Sequence, residues 1–168
     1  MGGADVLVRP FVSKDREAIL ALVPRLVAGV APYRDPEGVR ASVVEWVRDS
    51  IDAVNGAEGK AAVFVAESNG GLSGFVSVEV RGHWSGGQDA YVGELVVAPG
   101  AVRTGVGRLL MSEAEEWARN RGLARLSLET GADNQTARTF YAAGGYVEEE
   151  VRLSKALESP STCVDPIA

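Results

Sequence analysis

A glycine-rich bend between an apolar segment and an amphipathic one is the part of this sequence best suited to bind an anion. Residues 93–107 read Gly-Glu-Leu-Val-Val-Ala-Pro-Gly-Ala-Val-Arg-Thr-Gly-Val-Gly. Glycines at 100, 105 and 107 let the backbone turn tightly, and the first N–H groups of a following helix point outward unpaired. The sequence therefore predicts a bend that binds phosphate through main-chain donors.

Two familiar nucleotide loops fail on particular residues of this bend. Gly100 and Gly105 have the spacing of a Walker loop, but Val106 and Gly107 stand where that loop needs Lys and Ser or Thr. The dinucleotide-binding pattern fails as well, because Leu110 occupies the place of its third glycine. With one His and one Cys in the whole chain, no metal site is predicted either. The bend is expected to bind a phosphate group that needs no metal ion.

A second patterned stretch follows at residues 134–146, which read Asn-Gln-Thr-Ala-Arg-Thr-Phe-Tyr-Ala-Ala-Gly-Gly-Tyr. Its spacing places Ala137, Phe140 and Tyr141 on one face of a short helix. Asn134 stands at the start of that helix, where Asn is a preferred N-cap. The pattern predicts a helix that presents an aromatic pair on one side.

Taken together, these stretches resemble the GNAT N-acetyltransferase superfamily. The resemblance rests on Glu-Leu-Val-Val-x-Pro at 94–99, Gly-Val-Gly at 105–107, and Asn-x-x-Ala-x-x-Phe-Tyr-x-x-x-Gly-Tyr at 134–146. It is continuous from about residue 91 to residue 155. It implies transfer of an acetyl group from acetyl-CoA to an amine, with acetyl-CoA lying between two splayed strands.

The resemblance also implies where acetyl-CoA binds. Its pyrophosphate would lie on the bend, its pantetheine arm and acetyl carbonyl would pair with the backbone at 95–97, and Asn134 would reach the arm. The family's Arg/Gln-x-x-Gly-x-Gly/Ala pattern begins here at Val102, so its first basic or amide side chain is missing, and Arg103 is the expected substitute. The cofactor-binding positions so implied are Leu95, Val96, Val97, Val102, Arg103, Thr104, Gly105, Val106, Gly107, Asn134 and Tyr141.

The implied reaction needs a base and an acid. An amine with a lysine-like pKa of about 10.4 is neutral roughly once in 2,500 molecules at pH 7, a deficit of about 4.6 kcal/mol that a base must help cover. Glu94 is the candidate base, acting directly or through water. Tyr141, with a reference pKa near 10, is the candidate acid for the departing thiolate of CoA.

Each of these side chains also has a purely structural interpretation. Glu94 has the sequence context of a solvent-facing strand residue, Tyr141 that of a core aromatic, and Asn134 that of a simple N-cap.

The binding site for the acceptor amine is assigned to Tyr33 and Arg34, where the family's acceptor-binding loop would fall, and to Trp84. The acceptor itself stays open between a small amine, an aminoglycoside-like polycation and a peptide amine. A catalytically silent acyl-CoA-binding module is the alternative to an enzyme.

The elements that position these residues are predicted from periodicity and turn signals. The fold class is α/β with a mixed sheet: a GNAT-like twisted sheet of about six to seven strands flanked by about four helices, in the order βααββββαβαβ. Residues 1–157 are predicted to form one domain, and residues 158–168 a tail. Strands are predicted at 6–10, 62–66, 72–80, 89–97, 124–130 and 146–155, and helices at 13–22, 37–54, 106–121 and 134–143.

Composition narrows the compartment and the partners. The net charge of the 168 residues is −6. This charge argues against nucleic acid or an anionic membrane as the main binding partner and favours a cationic acceptor. There is no apolar run near the length of about 18 residues that a membrane span needs. Cys163, the only cysteine, lies in the predicted tail, which favours a reducing cytoplasm and direct attack over a cysteine-linked intermediate. The sequence itself does not indicate an oligomeric state, and a homodimer is suggested only by the family that it resembles.

Overall fold

The computed structural model describes residues 5–56, 59–68 and 70–157. The strands are β1 (Leu7–Pro10), β2 (Ala61–Ser68), β3 (Gly71–Gly82), β4 (Gln88–Val97) and β5 (Leu126–Leu128). The α-helices are α1 (Arg16–Leu22), α2 (Pro36–Gly56), α3 (Val106–Arg119) and α4 (Gln135–Ala143). The predicted tail at 158–168, with Cys163, lies outside the described residues.

The five strands form one sheet in the order β1-β2-β3-β4-β5. The pairs β1–β2, β2–β3 and β3–β4 are antiparallel, and β4–β5 is parallel. A mixed α/β sheet with four helices is therefore confirmed. None of the helices within the described residues has the length and apolar character of a membrane-crossing segment.

The predicted number of six to seven strands is wrong, because the described residues form five. Three strands, not four, lie between α2 and α3, and the last predicted strand at 146–155 has no regular structure. The stretch 147–157, called here the C-terminal segment, is instead attached through side chains. Its Glu148, Glu150 and Ser154 bond to other parts of the chain, and its three consecutive glutamates have low strand propensity.

Two apolar layers cover the two faces of the sheet. Helix α3 covers one face because Val106, Leu110, Ala114 and Trp117 recur at helical spacing, and all four are buried there. Helices α1 and α2 cover the other face. The residues buried in that second layer are Ile19, Val23, Val43, Val47, Ile51, Val63, Val65, Phe75 and Val96.

A bulge in β4 decides which of its side chains face each layer. Val76 pairs with Leu95 and Val78 pairs with Val92, so two residues of β4 lie opposite Ser77 alone. A bulge of this kind adds one residue and inverts the alternation of side chains beyond it.

The inversion carries an acidic residue to the α2 face. Before the bulge Ala90 and Val92 belong to the α3 layer, and beyond it Leu95 and Val97 pack against that same layer. Glu94 thereby points to the opposite face, towards α2. With strict alternation it would have pointed into the apolar layer beneath α3.

Candidate active site

Glu94 is a buried carboxylate held by two hydroxyl groups. Its side chain is 5% exposed. Ser50, on α2, donates a hydrogen bond to Glu94 Oε2 at 2.9 Å, and Ser77, on β3, donates to the same oxygen. The backbone N–H of Glu94 in turn donates to Ser77 Oγ at 2.9 Å. The interpretation of Glu94 as a solvent-facing strand residue is therefore wrong.

Burial makes this carboxylate more basic than a glutamate in water. Desolvation is the largest influence and raises the pKa of Glu94, while the bonds from Ser77 and Ser50 oppose the rise. The nearby charge of Glu79 raises the pKa further, and that of Arg81 lowers it. A carboxylate shifted in this direction is a better proton acceptor near neutral pH, as general-base catalysis requires.

Beside Glu94 the two parallel strands separate. The pairing of β4 with β5 begins at the pair Ala90–Leu126 and ends at the pair Val92–Leu128. It therefore stops where the bulge begins. Among the described residues no strand pairs with the β5 side of β4 beyond this point. The predicted cofactor positions Leu95, Val96 and Val97 lie on that stretch, where free backbone groups are available to a ligand.

The glycine-rich bend turns sharply before α3. Gly105 precedes the helix with a φ of 93°, in the left-handed region that favours glycine. Arg103 also has a positive φ, of 64°, which is uncommon for a residue with a side chain. No described residue accepts a bond from the first amides of α3, at Val106 and Gly107. The bend therefore presents N–H donors at a helix N-terminus, as an anion site requires.

The side chains of the bend contribute less than its backbone. Val102 is exposed, and the Thr104 hydroxyl is engaged with the Ala101 carbonyl at 2.7 Å. Arg103 is exposed, and its guanidinium bonds to no other described residue. The bend therefore offers a phosphate group its amides, with the exposed side chain of Arg103 in the same turn.

Helix α4 carries Tyr141 to the α3 face of the sheet. Its ring lies 5.2 Å from the Phe140 ring and 5.7 Å from the Tyr146 ring, and all three pack against the α3 layer. Burial raises the pKa of Tyr141 to about 12. Phe140 also approaches the bend, since its ring lies 3.4 Å from the position that a Cβ on Gly107 would take. Helix α4, the bend and the end of β4 therefore meet.

Asn134 uses its own side chain to cap α4. Its Oδ1 accepts from the Ala137 amide at 3.2 Å, and its Nδ2 donates to the Ala28 carbonyl at 3.5 Å. The amide group therefore joins α4 to the loop that precedes α2. The predicted contact with the cofactor arm stays a prediction.

The three predicted acceptor residues are exposed, and two of them, Tyr33 and Trp84, bond to the C-terminal segment. Tyr33 is 67% exposed and shares a hydrogen bond with Ser154 at 2.6 Å. Arg34 lies over the Tyr33 ring at 5.3 Å. Trp84 is 83% exposed and donates from Nε1 to Glu150 at 2.9 Å. Among the described residues, no hydrogen bond or ion pair joins these three to Glu94.

The sequence predictions therefore fall into two groups. Glu94, the free stretch of β4, the bend and Tyr141 surround the point where β4 and β5 separate, with Glu94 and Tyr141 on opposite faces of the sheet. The acceptor positions bond to other residues, Tyr33 to Ser154 and Trp84 to Glu150. Sequence reasoning missed Ser50 and Ser77, although a serine within a buried apolar strand is a recognisable signal.

Comparisons with known proteins agree with this geometry. A family model described as the acetyltransferase (GNAT) family matches residues 32–146, more than half of the chain. Aminoalkylphosphonate N-acetyltransferase of Salmonella typhimurium is 29% identical over 140 residues, which cover 76% of this chain and 88% of that protein. Streptothricin acetyltransferase of Streptomyces lavendulae is 33% identical over 113 residues, which cover 67% of this chain and 58% of that protein.

A solved structure shares the fold. PaiA N-acetyltransferase from Thermoplasma acidophilum, in complex with coenzyme A, superposes with a TM-score of 0.72 at 17% identity. The match covers 88% of this chain and 93% of that one. At this level of identity the likeness concerns the fold alone.

Proposed function

Since this chain belongs to the acetyltransferase (GNAT) family, we propose that it transfers the acetyl group of acetyl-CoA to a primary amine by direct attack. One observation supports this most strongly. Glu94 is a buried carboxylate with a raised pKa, and it lies at the bulge where β4 separates from β5. In this proposal the base would lie beside the gap that the thioester would occupy.

Acetyl-CoA, when bound, supplies the activated acetyl thioester. The amides of Gly105, Val106 and Gly107 would hold its pyrophosphate, and Arg103 would add one charge-assisted bond. The free backbone at 95–97 would orient the pantetheine arm and the acetyl carbonyl. Val102 stands where the family usually has a basic or amide side chain. In this proposal the main chain is therefore the principal phosphate ligand.

Glu94 would accept the proton that the acceptor amine loses, directly or through a water molecule. Tyr141 stays protonated at neutral pH because burial raises its pKa to about 12. It is therefore available as a proton donor to the sulfur as the thiolate leaves, and the same rise makes it a weaker acid than a tyrosine in water. Starting from the neutral amine, the products are the acetylated amine and the free thiol of CoA, with one proton given to Glu94 and one taken from Tyr141. The proton that makes an ammonium acceptor neutral goes to water, and exchange with water then restores Glu94 and Tyr141.

A cationic acceptor suits the charge of the chain. The protein carries a net charge of −6, and Glu150 of the C-terminal segment accepts a hydrogen bond from the exposed Trp84. One relative is named for streptothricin as its acceptor, whereas another is named for an aminoalkylphosphonate. We therefore expect an amine acceptor with additional positive charge.

Release of thiol from acetyl-CoA in the presence of a panel of amines tests the proposal. The panel contains streptothricin, an aminoglycoside, an aminoalkylphosphonate and a peptide with a free amine. We expect turnover with at least one polycationic amine and a large loss in Glu94→Gln. Glu116→Gln, which neutralises an exposed carboxylate on α3, is the control and should retain the rate. Binding of acetyl-CoA by calorimetry without turnover on any amine would favour a silent acyl-CoA-binding module.

Cytoplasmic location and a homodimer stay predictions. Sedimentation of the purified chain measures the second, with a molar mass twice that of one chain as the expected result. A single-chain mass at micromolar concentration would contradict it.

A further inference from the structure

The two oxygens of the Glu94 carboxylate have different surroundings. Oε2 accepts hydrogen bonds from both Ser50 and Ser77, whereas Oε1 accepts none from the described residues. We propose that Ser50 and Ser77 are positioning residues that hold Oε2, so that Oε1 alone receives the proton of the acceptor amine. The inference rests on the proposed function, because it concerns the same base.

Ser77 fixes both the backbone and the side chain of Glu94. Its oxygen accepts the Glu94 N–H at 2.9 Å, and its only proton is donated to Oε2. A hydroxyl has one proton to give. Because that proton already points at Oε2, this oxygen is a poor site for a second proton, and the carboxylate is held against rotation.

Ser50 reaches the same oxygen from a different element. It lies on α2, one residue before the buried Ile51, and its hydroxyl donates to Oε2 at 2.9 Å. The packing of α2 on the sheet therefore carries a donor to the point that Ser77 reaches from β3. Two donors from two rigid elements define the position of the carboxylate more closely than one would.

The glycine at the bulge makes this arrangement sterically feasible. A Cβ on Gly93 would lie 2.8 Å from Ser77 Oγ and 3.6 Å from Ser50 Oγ. The first distance is shorter than a carbon and an oxygen tolerate, so any side chain here would displace the Ser77 hydroxyl. The bulge thus supplies both the turn of Glu94 towards α2 and the space for its two donors.

The two hydroxyls also influence the pKa of Glu94, together with the charged groups around it. The charged and titratable groups that act on it are Glu79 and Arg81, on β3, and Tyr91, on β4. A donor to the charged form favours that form. Removing either serine hydroxyl should therefore raise the pKa of Glu94, and the base should become active only at higher pH.

The pH profile of kcat/KM for Ser50→Ala, Ser77→Ala and the double variant tests the inference, with one acceptor amine throughout. Each single variant should move the acid limb upward by about one pH unit, as expected for loss of one bond to a charged group. kcat should fall while KM for acetyl-CoA changes less than twofold. Ser50→Thr keeps the hydroxyl and should restore the wild-type limb.

Ser73→Ala is the matched control for Ser77→Ala. Ser73 is also a buried serine of β3, four residues away, and its hydroxyl bonds to Ser68 rather than to Glu94. It should leave the limb in place. An unshifted limb in both Ser50→Ala and Ser77→Ala, or the same shift in Ser73→Ala, would overturn the inference.

Titration of the Glu94 carboxyl carbon by ¹³C NMR separates this inference from the proposed function. Glutamate-labelled protein is used, and the Glu94 signal is assigned by its disappearance in Glu94→Gln. A higher titration midpoint in Ser77→Ala than in wild type is expected whether or not an acceptor is known. An unchanged midpoint in Ser77→Ala and in Ser50→Ala, measured in the same way, rejects the two serines as its partners even in an active enzyme. Absence of acetyl transfer with a shifted midpoint rejects the proposed function alone.

Discussion

The Glu94 site, on β4, and the glycine-rich bend, which follows β4, have opposite structural requirements. Glu94 is buried, and one of its oxygens is held by two side-chain hydroxyls from α2 and β3. The bend is exposed, and what it presents is backbone, through a left-handed Gly105 and the free amides of α3. A proton acceptor gains basicity from burial, whereas a site for a large anion must stay open to admit it. The first site therefore depends on side-chain identity and the second on backbone conformation.

Replacing the carboxylate should have the largest effect on activity. Glu94→Gln keeps the shape of the side chain and its bonds to the two serines, but the amide cannot accept the proton. We expect kcat/KM to fall by about 10³-fold, within the usual range for loss of a general base. Calorimetry should show unchanged affinity for acetyl-CoA. A loss below about threefold would assign Glu94 a structural role only.

Removing the proposed acid should have a smaller effect. Tyr141→Phe keeps the ring that packs beside Phe140 and Tyr146 and deletes only the hydroxyl. We expect kcat to fall by about 10²-fold, because a thiolate with a reference pKa near 8.5 leaves more easily than most groups. Because burial raises the pKa of Tyr141 to about 12, deprotonation of this residue should cause no decline in the wild-type kcat below pH 11.

Tyr146→Phe is the control for that experiment. It removes a hydroxyl from the neighbouring ring, which donates to Glu115 at 3.2 Å. We expect it to lower stability without the loss in kcat. Equal rates in Tyr141→Phe and wild type would reject the assignment of the acid.

The bend should respond to backbone changes more than to loss of its charge. Arg103→Ala removes one exposed cation and should weaken acetyl-CoA binding by about 1–2 kcal/mol. Gly105→Val forces a β-branched residue to a φ of 93° and should weaken binding more. Gly100→Val is the matched control, since Gly100 has open space and no positive φ. Calorimetry that shows equal losses for Gly105→Val and Gly100→Val would contradict main-chain binding.

The difference between the two sites also explains what the sequence could predict. The bend needs glycine at defined positions, and α3 needs its apolar residues at helical spacing, so both are visible as residue types in order. The bulge at Gly93 is not visible, because a single glycine in a strand has several meanings. Without the bulge, Ser50 and Ser77 cannot be connected to Glu94, and Glu94 itself looks exposed.

The error at the end of the chain has a related cause. Residues 146–155 have enough apolar residues to predict a strand, but a strand also needs a partner with free backbone groups. β5 has three residues, and the C-terminal segment bonds through Glu148, Glu150 and Ser154 instead. Pairing depends on the length and place of the neighbouring strand, and no local pattern records these.

The smallest expected effect concerns stability and tests whether burial of Glu94 has a cost. Its pKa is raised in the folded protein, so folding disfavours the charged form. The stability associated with the neutral carboxyl is fully present below the unfolded pKa of about 4.3 and is lost as pH rises through the folded value. Glu94→Gln avoids this loss and should have a Tm a few degrees above wild type at pH 8, with the difference shrinking towards pH 4. Glu116→Gln, at an exposed position, should show no such trend. A lower Tm for Glu94→Gln at pH 8 would mean that the two serine hydroxyls stabilise the carboxylate by more than its burial costs.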